Sequence, residues 1–506
     1  MTAPAALVVG LDGATWDLLR PAIRSGLMPA LGRFLQKASH GVLTSVLPSV
    51  TIPAWYTAVT GRTPLELGTW GFTAPGERPG EFRLVTTYRP AEALWDTLGR
   101  QGWKVGVVNF PALPAPAVHG YFVSGMLAAD SADGTFPAAL AGDLSRRFGP
   151  WNPDLFSLKS KGLAQALDEA RTSLRQKVAL LEAWEAEDPR DLLFVLFSET
   201  DRLQHDFYDA LSQAAHTGRG PAALFWRDLD ESLRRTLEAF RTRRPEGWIF
   251  LLSDHGFGPS EGYFFTNRFL WERGYLRVRP DPIPTLRPWV TTLLATLDRY
   301  VPLAPALNHI PPGSRSGAPS SPSFSRWGTD RTFSWFSHFV DWERTQAFSF
   351  PVPEAIYANH HRGELSPEER RGLQRRLREE FSRFPHARVE SWAPEELYPG
   401  PVGPRTPLLI LSVNGQAWET RGDLNYQRTY LGHRPSYFER EGCHRPEGIL
   451  AVTGPGVPQG PLPGPLRLLD FHDLFLRLIE MGRWMPGTGG TRSLGPKAKE
   501  GPSPHG

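Results

Sequence analysis

Three short apolar runs, each followed closely by an acidic residue, most constrain the fold that this chain can adopt. The runs are AALVVGL before Asp12, LLFVLF before Ser198-Glu199-Thr200-Asp201, and WIFLL before Ser253-Asp254. Short apolar runs without alternation are typical of strands buried on both faces. In open α/β sheets the functional groups gather beyond the carboxyl ends of the strands, so we expect Asp12, Asp201 and Asp254 to converge.

The segments between these runs predict an alternation of helices and strands. Helices are predicted at Leu27–Gln36, Ala91–Gln101, Gly162–Glu185, Asp228–Thr242 and Phe471–Met481, and further strands at Val42–Leu47, Lys104–Asn109, Tyr121–Met126 and Ile449–Thr453. This order predicts an α/β fold with a central, mostly parallel sheet flanked by helices. We assign residues 1–262 and 441–485 to this core.

Residues 263–440 are predicted to form a smaller α+β insertion beside the core. Within it, residues 277–332 are rich in Pro, Ser and Gly and predict a mobile segment. Thr345–Tyr357 is strand-like and Ser366–Phe384 predicts a charged helix. The tail, residues 486–506, is predicted to be disordered.

Composition and charge exclude several classes of protein. The chain has 56 Lys and Arg against 53 Asp and Glu, a net charge of +3 that indicates no nucleic-acid-binding surface. A single cysteine, Cys443, precludes an internal disulfide. No apolar run approaches the roughly 20 residues that span a bilayer, and the first residues do not resemble a secretion signal. We therefore expect a cytoplasmic protein without a membrane span; the oligomeric state stays open.

The stretch SVLPSVTIPAWYTAVTGRTP places the hydroxyl of Thr51 where a loop becomes a short helix. Pro53 suits the first helical turn and Gly61 suits the helix end. Unpaired N–H groups and the positive end of the helix dipole favour phosphate-like anions there, and also a hydroxyl that becomes an alkoxide. Thr51 is thus a candidate nucleophile. The alternative is that Thr51 only caps the helix, since Thr is a preferred N-cap residue.

Histidines near these acids add metal-ligand chemistry. Asp201 and His205 are spaced i, i+4, which places a carboxylate and an imidazole on one helix face. His255 follows Asp254 directly, and His444 precedes a predicted strand. Each residue alone also has a structural interpretation, as a capping acid or an ordinary loop histidine.

Taken together, three Asp, three His and Thr51 suffice to hold two metal ions. Two divalent ions about 3.5–4 Å apart form a clamp for in-line displacement at phosphorus. Mixed imidazole and carboxylate ligands suit zinc, and manganese is tolerated.

Five ordered segments resemble the motifs of the type I phosphodiesterase/nucleotide pyrophosphatase family of the alkaline phosphatase superfamily. They are Val8–Asp17, Pro48–Trp55 with Thr60–Pro64, Ser198–Asp209, Leu252–Pro259 and Cys443–Gly456. The resemblance implies an alkaline-phosphatase-like core. It also implies two metal sites, one formed by Asp201, His205 and His444 and the other by Asp12, Asp254, His255 and the Thr51 oxygen.

The activity implied by the resemblance is phosphoester hydrolysis through a phosphothreonine at Thr51, with a small-molecule, nucleotide-like substrate. Two departures leave nucleotide specificity open: Leu67-Gly68 stands where the family often has His-Gly, and Phe72 or Thr73 where the nucleotide-cleaving branch has Asn. A sulfatase is excluded, because Thr51-Ile-Pro-Ala-Trp55 lacks the Cys or Ser nucleophile and the Arg of the sulfatase pattern.

Two alternatives to hydrolysis remain. A phosphotransferase or mutase would pass the phosphoryl group from Thr51 to an acceptor other than water, and a non-catalytic binding protein would keep the fold alone. All seven candidate positions hold residues able to bind a metal ion, which favours an enzyme over a binding protein. A charge count over two divalent ions, three Asp and the Thr51 alkoxide is neutral, which predicts better cleavage of phosphodiesters than of monoesters unless Arg62 or Arg445 reaches the site.

Overall fold

A computed structural model describes residues 5–77, 82–85, 91–128, 133–151, 155, 161–279, 340–350, 354–422, 431–432, 440–462, 464 and 466–484. Most of the predicted mobile segment, residues 280–332, lies outside the described residues, as does the predicted tail 486–506. No described helix is both long and apolar enough to cross a membrane.

The described strands fall into a central sheet, a second large sheet and two small pairs. The strands are β1 (Ala6–Leu11), β2 (Ser39–Thr44), β3 (Thr73–Pro75), β4 (Phe82–Leu84), β5 (Val105–Phe110), β6 (Gly120–Ser124), β7 (Thr135–Phe136), β8 (Leu192–Phe197), β9 (Trp248–Leu252), β10 (Gly256–Pro259), β11 (Gly262–Phe265), β12 (Ala347–Ser349), β13 (Ala355–Ala358), β14 (Val389–Trp392), β15 (Leu409–Val413), β16 (Trp418–Arg421), β17 (Leu431–Gly432), β18 (Gly442–Arg445), β19 (Glu447–Thr453), β20 (Gly460–Pro461) and β21 (Leu466–Arg467).

Helices cover both faces of the central sheet and one side of the second sheet. The α-helices are α1 (Trp16–Arg24), α2 (Pro29–Leu35), α3 (Thr51–Thr60), α4 (Pro64–Leu67), α5 (Leu94–Arg100), α6 (Leu140–Phe148), α7 (Leu163–Glu187), α8 (Glu199–Thr217), α9 (Ala223–Arg243), α10 (Thr266–Glu272), α11 (Pro367–Ser382), α12 (Pro394–Leu397) and α13 (Phe471–Met481).

The central sheet runs in the order β20-β2-β19-β9-β1-β8-β5-β6-β7, with β21 also paired to β2. Its middle strands β9, β1, β8, β5 and β6 are parallel, whereas β19 is antiparallel to both of its neighbours. Leu11 lies opposite Phe197 and Gly10 opposite Leu252, so the three acid-bearing strand ends reach the same edge. The predicted α/β fold with a mostly parallel central sheet is confirmed.

Gly10 allows α3 to lie directly on β1. A Cβ at Gly10 would lie 2.6 Å from the Trp55 ring and 2.5 Å from Leu196, so any side chain there would push the helix off the sheet. Trp55 is fully buried at this contact. The close approach brings the first residue of α3 to the carboxyl end of β1.

The second sheet runs in the order β12-β13-β15-β16-β11-β17, with β14 paired to β15. Helix α11 buries Leu373, Leu377 and Phe381 in a core shared with strands of this sheet. This arrangement is the predicted smaller α+β part. The boundaries at 262/263 and 440/441 stay a prediction, and β11 contributes to the second sheet from its first residue, Gly262.

Two strand predictions are wrong in detail. The strand predicted at Val42–Leu47 is Ser39–Thr44, because the residues after Thr44 leave the sheet for the turn that leads into α3. The strand predicted at Thr345–Tyr357 is two short strands, Ala347–Ser349 and Ala355–Ala358, which pair antiparallel with each other. The prolines at 351 and 353 cannot donate to a ladder, and this signal indicates the interruption.

Candidate active site

Thr51 is the first residue of α3, one position inside the helix. The N-cap is Val50, which has extended φ and ψ and no capping side chain. The Thr51 hydroxyl is buried and lies 3.5 Å from Asp12 Oδ1, to which it donates. The helix ends at Gly61 with φ 64°, as predicted. The interpretation of Thr51 as a mere N-cap is therefore wrong, because its hydroxyl points to an acid of the site instead of the helix N–H groups.

Asp201, His205 and His444 form the first candidate metal group, with ligand atoms all within 4.8 Å of one another. Asp201 Oδ1 lies 3.4 Å from His205 Nε2 and 3.2 Å from His444 Nε2. The two Nε2 atoms are 3.0 Å apart. Helix α8 supplies Asp201 and His205 from one face, as the i, i+4 spacing predicts, and the short strand β18 supplies His444.

Asp12, Asp254 and His255 form the second candidate metal group and are all completely buried. His255 Nε2 lies 3.3 Å from Asp254 Oδ2 and 3.7 Å from Asp12 Oδ1. Gly13, at φ +64°, fits between the two groups: a Cβ there would lie 3.3 Å from both the Asp201 Cβ and the His255 ring. The glycine thus permits the two groups to approach each other.

Backbone carbonyls fix how the imidazoles present their nitrogens. His444 Nδ1 lies 2.7 Å from Ser49 O, so Nδ1 carries the proton and Nε2 keeps its lone pair for a ligand. The corresponding acceptors for His205 and His255 are Gly442 O at 3.3 Å and Gly256 O at 3.0 Å. All three histidines are therefore arranged as Nε2 ligands.

The two groups fit divalent cations by a structural criterion. Asp254 Oδ2 and His255 Nε2 are buried and have no hydrogen-bond partner among the described residues, although they lie side by side. A buried polar atom without a partner costs about 1–3 kcal/mol. A cation shared by these two atoms would satisfy both of them. A second cation would likewise satisfy the facing Nε2 atoms of His205 and His444.

The raised pKa values of two carboxyl groups also indicate that the site would be stabilised by a bound cation. Burial and the neighbouring Asp201 raise the pKa of Asp12 to about 7, and burial and Asp12 raise the pKa of Asp254 well above its usual range. Burial and the Arg440 charge lower the pKa of His205 to about 4. A bound divalent ion would reverse the preference of the two carboxyls, because it favours their ionised form, and it would agree with the lowered pKa of His205, because it favours a neutral imidazole.

An open cavity of about 60 Å³ leads to Thr51 and the first metal group. Its wall combines α3 and α8 with β16 of the second sheet and the turn before β16. The lining residues from the second sheet and its loops are Glu354, Gln416, Trp418, Glu419, Thr420 and Arg440. The predicted insertion therefore forms part of the entrance.

Two arginines of the cavity escaped the sequence interpretation. Arg202 Nε lies 3.5 Å from Asp201 Oδ2, and Arg440 Nη1 lies 3.3 Å from His205 Nδ1 and 3.6 Å from Glu419 Oε1. Arg62, considered from the sequence, is exposed and pairs with Glu66. The sequence shows Arg202 inside the Asp-x-x-x-His segment, but no pattern marks Arg440.

Arg445 donates to backbone carbonyls, among them Gln416 O at 2.5 Å and Pro259 O at 2.6 Å. It does not line the cavity as described. Its guanidinium ties β18 to the neighbouring turns, which is a structural role.

The sequence interpretation also did not identify three neutral hydrogen-bond donors that hold Asp12 and Gly13. Trp55 Nε1 donates to Asp12 Oδ2 at 3.1 Å, and Thr200 Oγ1 donates to Asp12 O at 2.5 Å. Gln204 Nε2 donates to Gly13 O at 2.9 Å. All three donors lie inside the motifs named above, which the sequence interpretation searched only for nucleophiles and metal ligands.

Comparison with known proteins places this geometry in a family and a fold. The family model described as type I phosphodiesterase / nucleotide pyrophosphatase matches residues 6–437. No curated protein sequence matches the chain significantly.

Solved structures resemble the whole chain at low sequence identity, which establishes the shared fold alone. Murine ectonucleotide pyrophosphatase / phosphodiesterase 5 has a TM-score of 0.51 and 15% identity, covering 94% of this chain and 95% of that one. An inactive threonine-to-alanine variant of the murine protein, in complex with AMP, has a TM-score of 0.52 and 15% identity over the same shares, 94% and 95%. Phosphonoacetate hydrolase from Sinorhizobium meliloti has a TM-score of 0.50 and 16% identity, covering 94% and 95%.

Proposed function

Because the chain belongs to the type I phosphodiesterase / nucleotide pyrophosphatase family, we propose that it is a two-metal phosphodiesterase acting through a phosphothreonine at Thr51. The observation that carries the proposal is the convergence of two three-ligand groups on one buried hydroxyl. The murine relative whose threonine-to-alanine variant is described as inactive supports a threonine nucleophile.

The proposed metal ligands divide between two ions. Asp201, His205 and His444 would hold one, and Asp12, Asp254, His255 and the Thr51 oxygen the other. When bound, two divalent ions would lower the pKa of the Thr51 hydroxyl and stabilise negative charge on the attacking and leaving oxygens. The mixture of imidazole and carboxylate ligands suits zinc and tolerates manganese.

The chain's own residues supply orientation for the proposed reaction. Asp12 accepts the Thr51 hydroxyl hydrogen bond and is itself fixed by Trp55. The Thr51 oxygen gives up its proton and attacks phosphorus, a P–O bond forms to Thr51, the P–O bond to the leaving group breaks, and the leaving oxygen takes up a proton and departs as an alcohol. Water then attacks the phosphothreonine, which breaks the P–O bond to Thr51 and releases a phosphomonoester. The amino end of α3 favours the phosphoryl anion throughout.

The proposed substrate is a small-molecule phosphodiester. The AMP complex of the murine relative makes nucleotide-like esters the first class to test. Phe72, one of the two residues (with Thr73) that stand where nucleotide-cleaving relatives have an asparagine, is buried and lines the same cavity as Thr51. It offers an aromatic face and no amide, so this chain would not hold a phosphate through that position.

We expect the purified protein to retain two divalent ions per chain after extensive dialysis, because each ion has at least three converging protein ligands. Elemental analysis checks this number. In His444→Ala we expect about one ion per chain, since only the first group loses a ligand. As a control, His216→Ala removes an exposed histidine on the same helix as His205 and leaves both ions bound. A wild-type protein that binds no zinc or manganese would exclude the two-metal proposal.

We expect phosphodiesters to be cleaved better than phosphomonoesters. Arg202 and Arg440 add positive charge that the sequence count omitted. Glu419 offsets only part of it, since it lies 3.6 Å from Arg440 but 2.8 Å from Arg421, and Glu354 is partly ionised with its pKa raised to about 7 by burial. The excess of positive charge near Thr51 therefore stays small, which suits a monoanionic diester. The measurement is kcat/KM for bis-p-nitrophenyl phosphate against p-nitrophenyl phosphate under identical metal conditions. A preference for the monoester would assign Arg202 or Arg440 as a clamp for the dianion.

A further inference from the structure

The residues that precede Thr51 leave the central sheet and reach α3 without a capping side chain. We call residues 45–50 the nucleophile loop. Inside it, Val50 N donates to Pro48 O at 2.9 Å, and Ser49 Oγ donates to Val46 O at 3.1 Å. The N-cap Val50 offers no side-chain hydrogen bond to the first turn of the helix. The placement of that turn therefore depends on contacts that other parts of the chain make with the nucleophile loop.

Tyr398, which directly follows α12, makes such a contact through its hydroxyl. Leu47 N donates to Tyr398 Oη at 2.7 Å, and Tyr398 Oη donates to Leu47 O at 2.9 Å. The Tyr398 side chain is 7% exposed, so water does not readily replace these bonds. One hydroxyl thus satisfies both backbone groups of Leu47 and fixes the orientation of its peptide planes.

A second anchor acts two residues later, at Ser49. Gln416 Nε2 lies 3.5 Å from Ser49 Oγ and 3.0 Å from Glu354 Oε2, and the Ser49 backbone is hydrogen-bonded to the Glu354 carboxyl. On the other side, Ser49 O accepts from His444 Nδ1 at 2.7 Å. Side chains from the second sheet therefore hold the same residue that orients a candidate metal ligand.

We propose that Tyr398 is a positioning residue for the nucleophile, and that the predicted insertion controls reactivity by holding the nucleophile loop as well as by lining the cavity. This inference rests on the proposed role of Thr51. The body of α3 is fixed by the contact of Trp55 with Gly10, whereas its first turn follows the loop. Loss of the Tyr398 hydroxyl would let Leu47 shift and Thr51 with it, and a displacement of about 1 Å can reduce a rate about a hundredfold.

The test is Tyr398→Phe, which keeps the ring and removes only the hydroxyl. We expect kcat for bis-p-nitrophenyl phosphate to fall about tenfold, with KM and metal content unchanged, because the loop becomes mobile without losing a ligand. The loss of two hydrogen bonds to Leu47 should lower Tm modestly. Hydrogen exchange of a peptide covering residues 45–52 should accelerate. The control is Tyr357→Phe, since Tyr357 is also buried, on β13 of the second sheet, and makes no contact with the loop among those described. It should change neither kcat nor exchange in that peptide.

Each outcome separates this inference from the proposed function. One outcome is that the wild-type protein cleaves the phosphodiester while Tyr398→Phe changes neither kcat nor the hydrogen exchange of residues 45–52. This result overturns the inference about Tyr398 and leaves the proposed function standing. An equal loss of Tm and kcat in both variants shows that the tyrosines act only through stability, and it also overturns the inference. A wild-type protein that does not cleave phosphoesters overturns the proposed function, while accelerated exchange in Tyr398→Phe would still show that Tyr398 holds the loop.

Discussion

Replacement of Thr51 by alanine is expected to abolish turnover of a phosphodiester while both metal ions stay bound. The hydroxyl is buried, directed at Asp12 and placed at the amino end of α3, where no other described hydroxyl of the cavity is so oriented. Loss of a covalent nucleophile lowers kcat by about 10⁴-fold or more. Three protein ligands remain in the second metal group, so the metal ratio should stay near that of the wild type. Steady-state kinetics and elemental analysis of the same preparation measure both quantities.

Two further variants make the Thr51 experiment specific. Thr51→Ser keeps a hydroxyl and should restore a large part of the activity, together with a phosphoserine that acid quenching would trap. Thr57→Ala changes a buried threonine of the same helix whose Oγ1 has no hydrogen-bond partner among the described residues, and it should leave kcat unchanged. If Thr51→Ala kept more than about a tenth of the activity, the hydroxyl would not be the nucleophile.

The parts of the site that the sequence predicts are those in which local pattern and position coincide. Asp12, Asp201 and Asp254 each follow an uninterrupted apolar run, and parallel pairing alone brings the ends of such strands to one edge. Pro53 in the first turn and Gly61 after the last residue mark the helix that Thr51 begins, and they identify Thr51 from the sequence. These inferences need no information about distant contacts.

The parts that the sequence does not predict depend on contacts between residues far apart in the chain. Tyr398 reaches Leu47 across 351 positions, and Arg440 reaches His205 across 235. Neither residue lies in a pattern with a defined spacing. The strand predicted at Val42–Leu47 was wrong for a related reason, because its last residue, Leu47, is hydrogen-bonded to Tyr398 in a loop and not to a neighbouring strand.

Removal of the positive charge of Lys177 is expected to give the largest loss of stability among single substitutions of charged residues outside the site. Lys177 on α7 and Glu199 at the start of α8 form an ion pair whose side chains are 1% and 0% exposed. Lys177 Nζ also donates to Ser173 Oγ at 3.2 Å, while Glu199 Oε2 has no partner among the described residues. Lys177→Met leaves the Glu199 carboxylate buried without its cation, which costs about 3–5 kcal/mol. Chemical denaturation measures this loss as a lower midpoint.

The matched control is the exposed pair of Lys104 and Asp188, whose side chains are 50% and 51% exposed at a distance of 2.9 Å. Lys104→Met should cost no more than about 1 kcal/mol, because water replaces the partner at the surface. The double variant Lys177→Met/Glu199→Leu removes both buried charges, and an apolar pair of similar volume recovers most of the lost stability. Because Glu199 begins the helix that carries Asp201 and His205, Lys177→Met should also lower the metal content, and the double variant should restore it. If Lys177→Met and Lys104→Met lost equal stability, the buried pair of Lys177 and Glu199 would not stabilise the fold more than an exposed ion pair does.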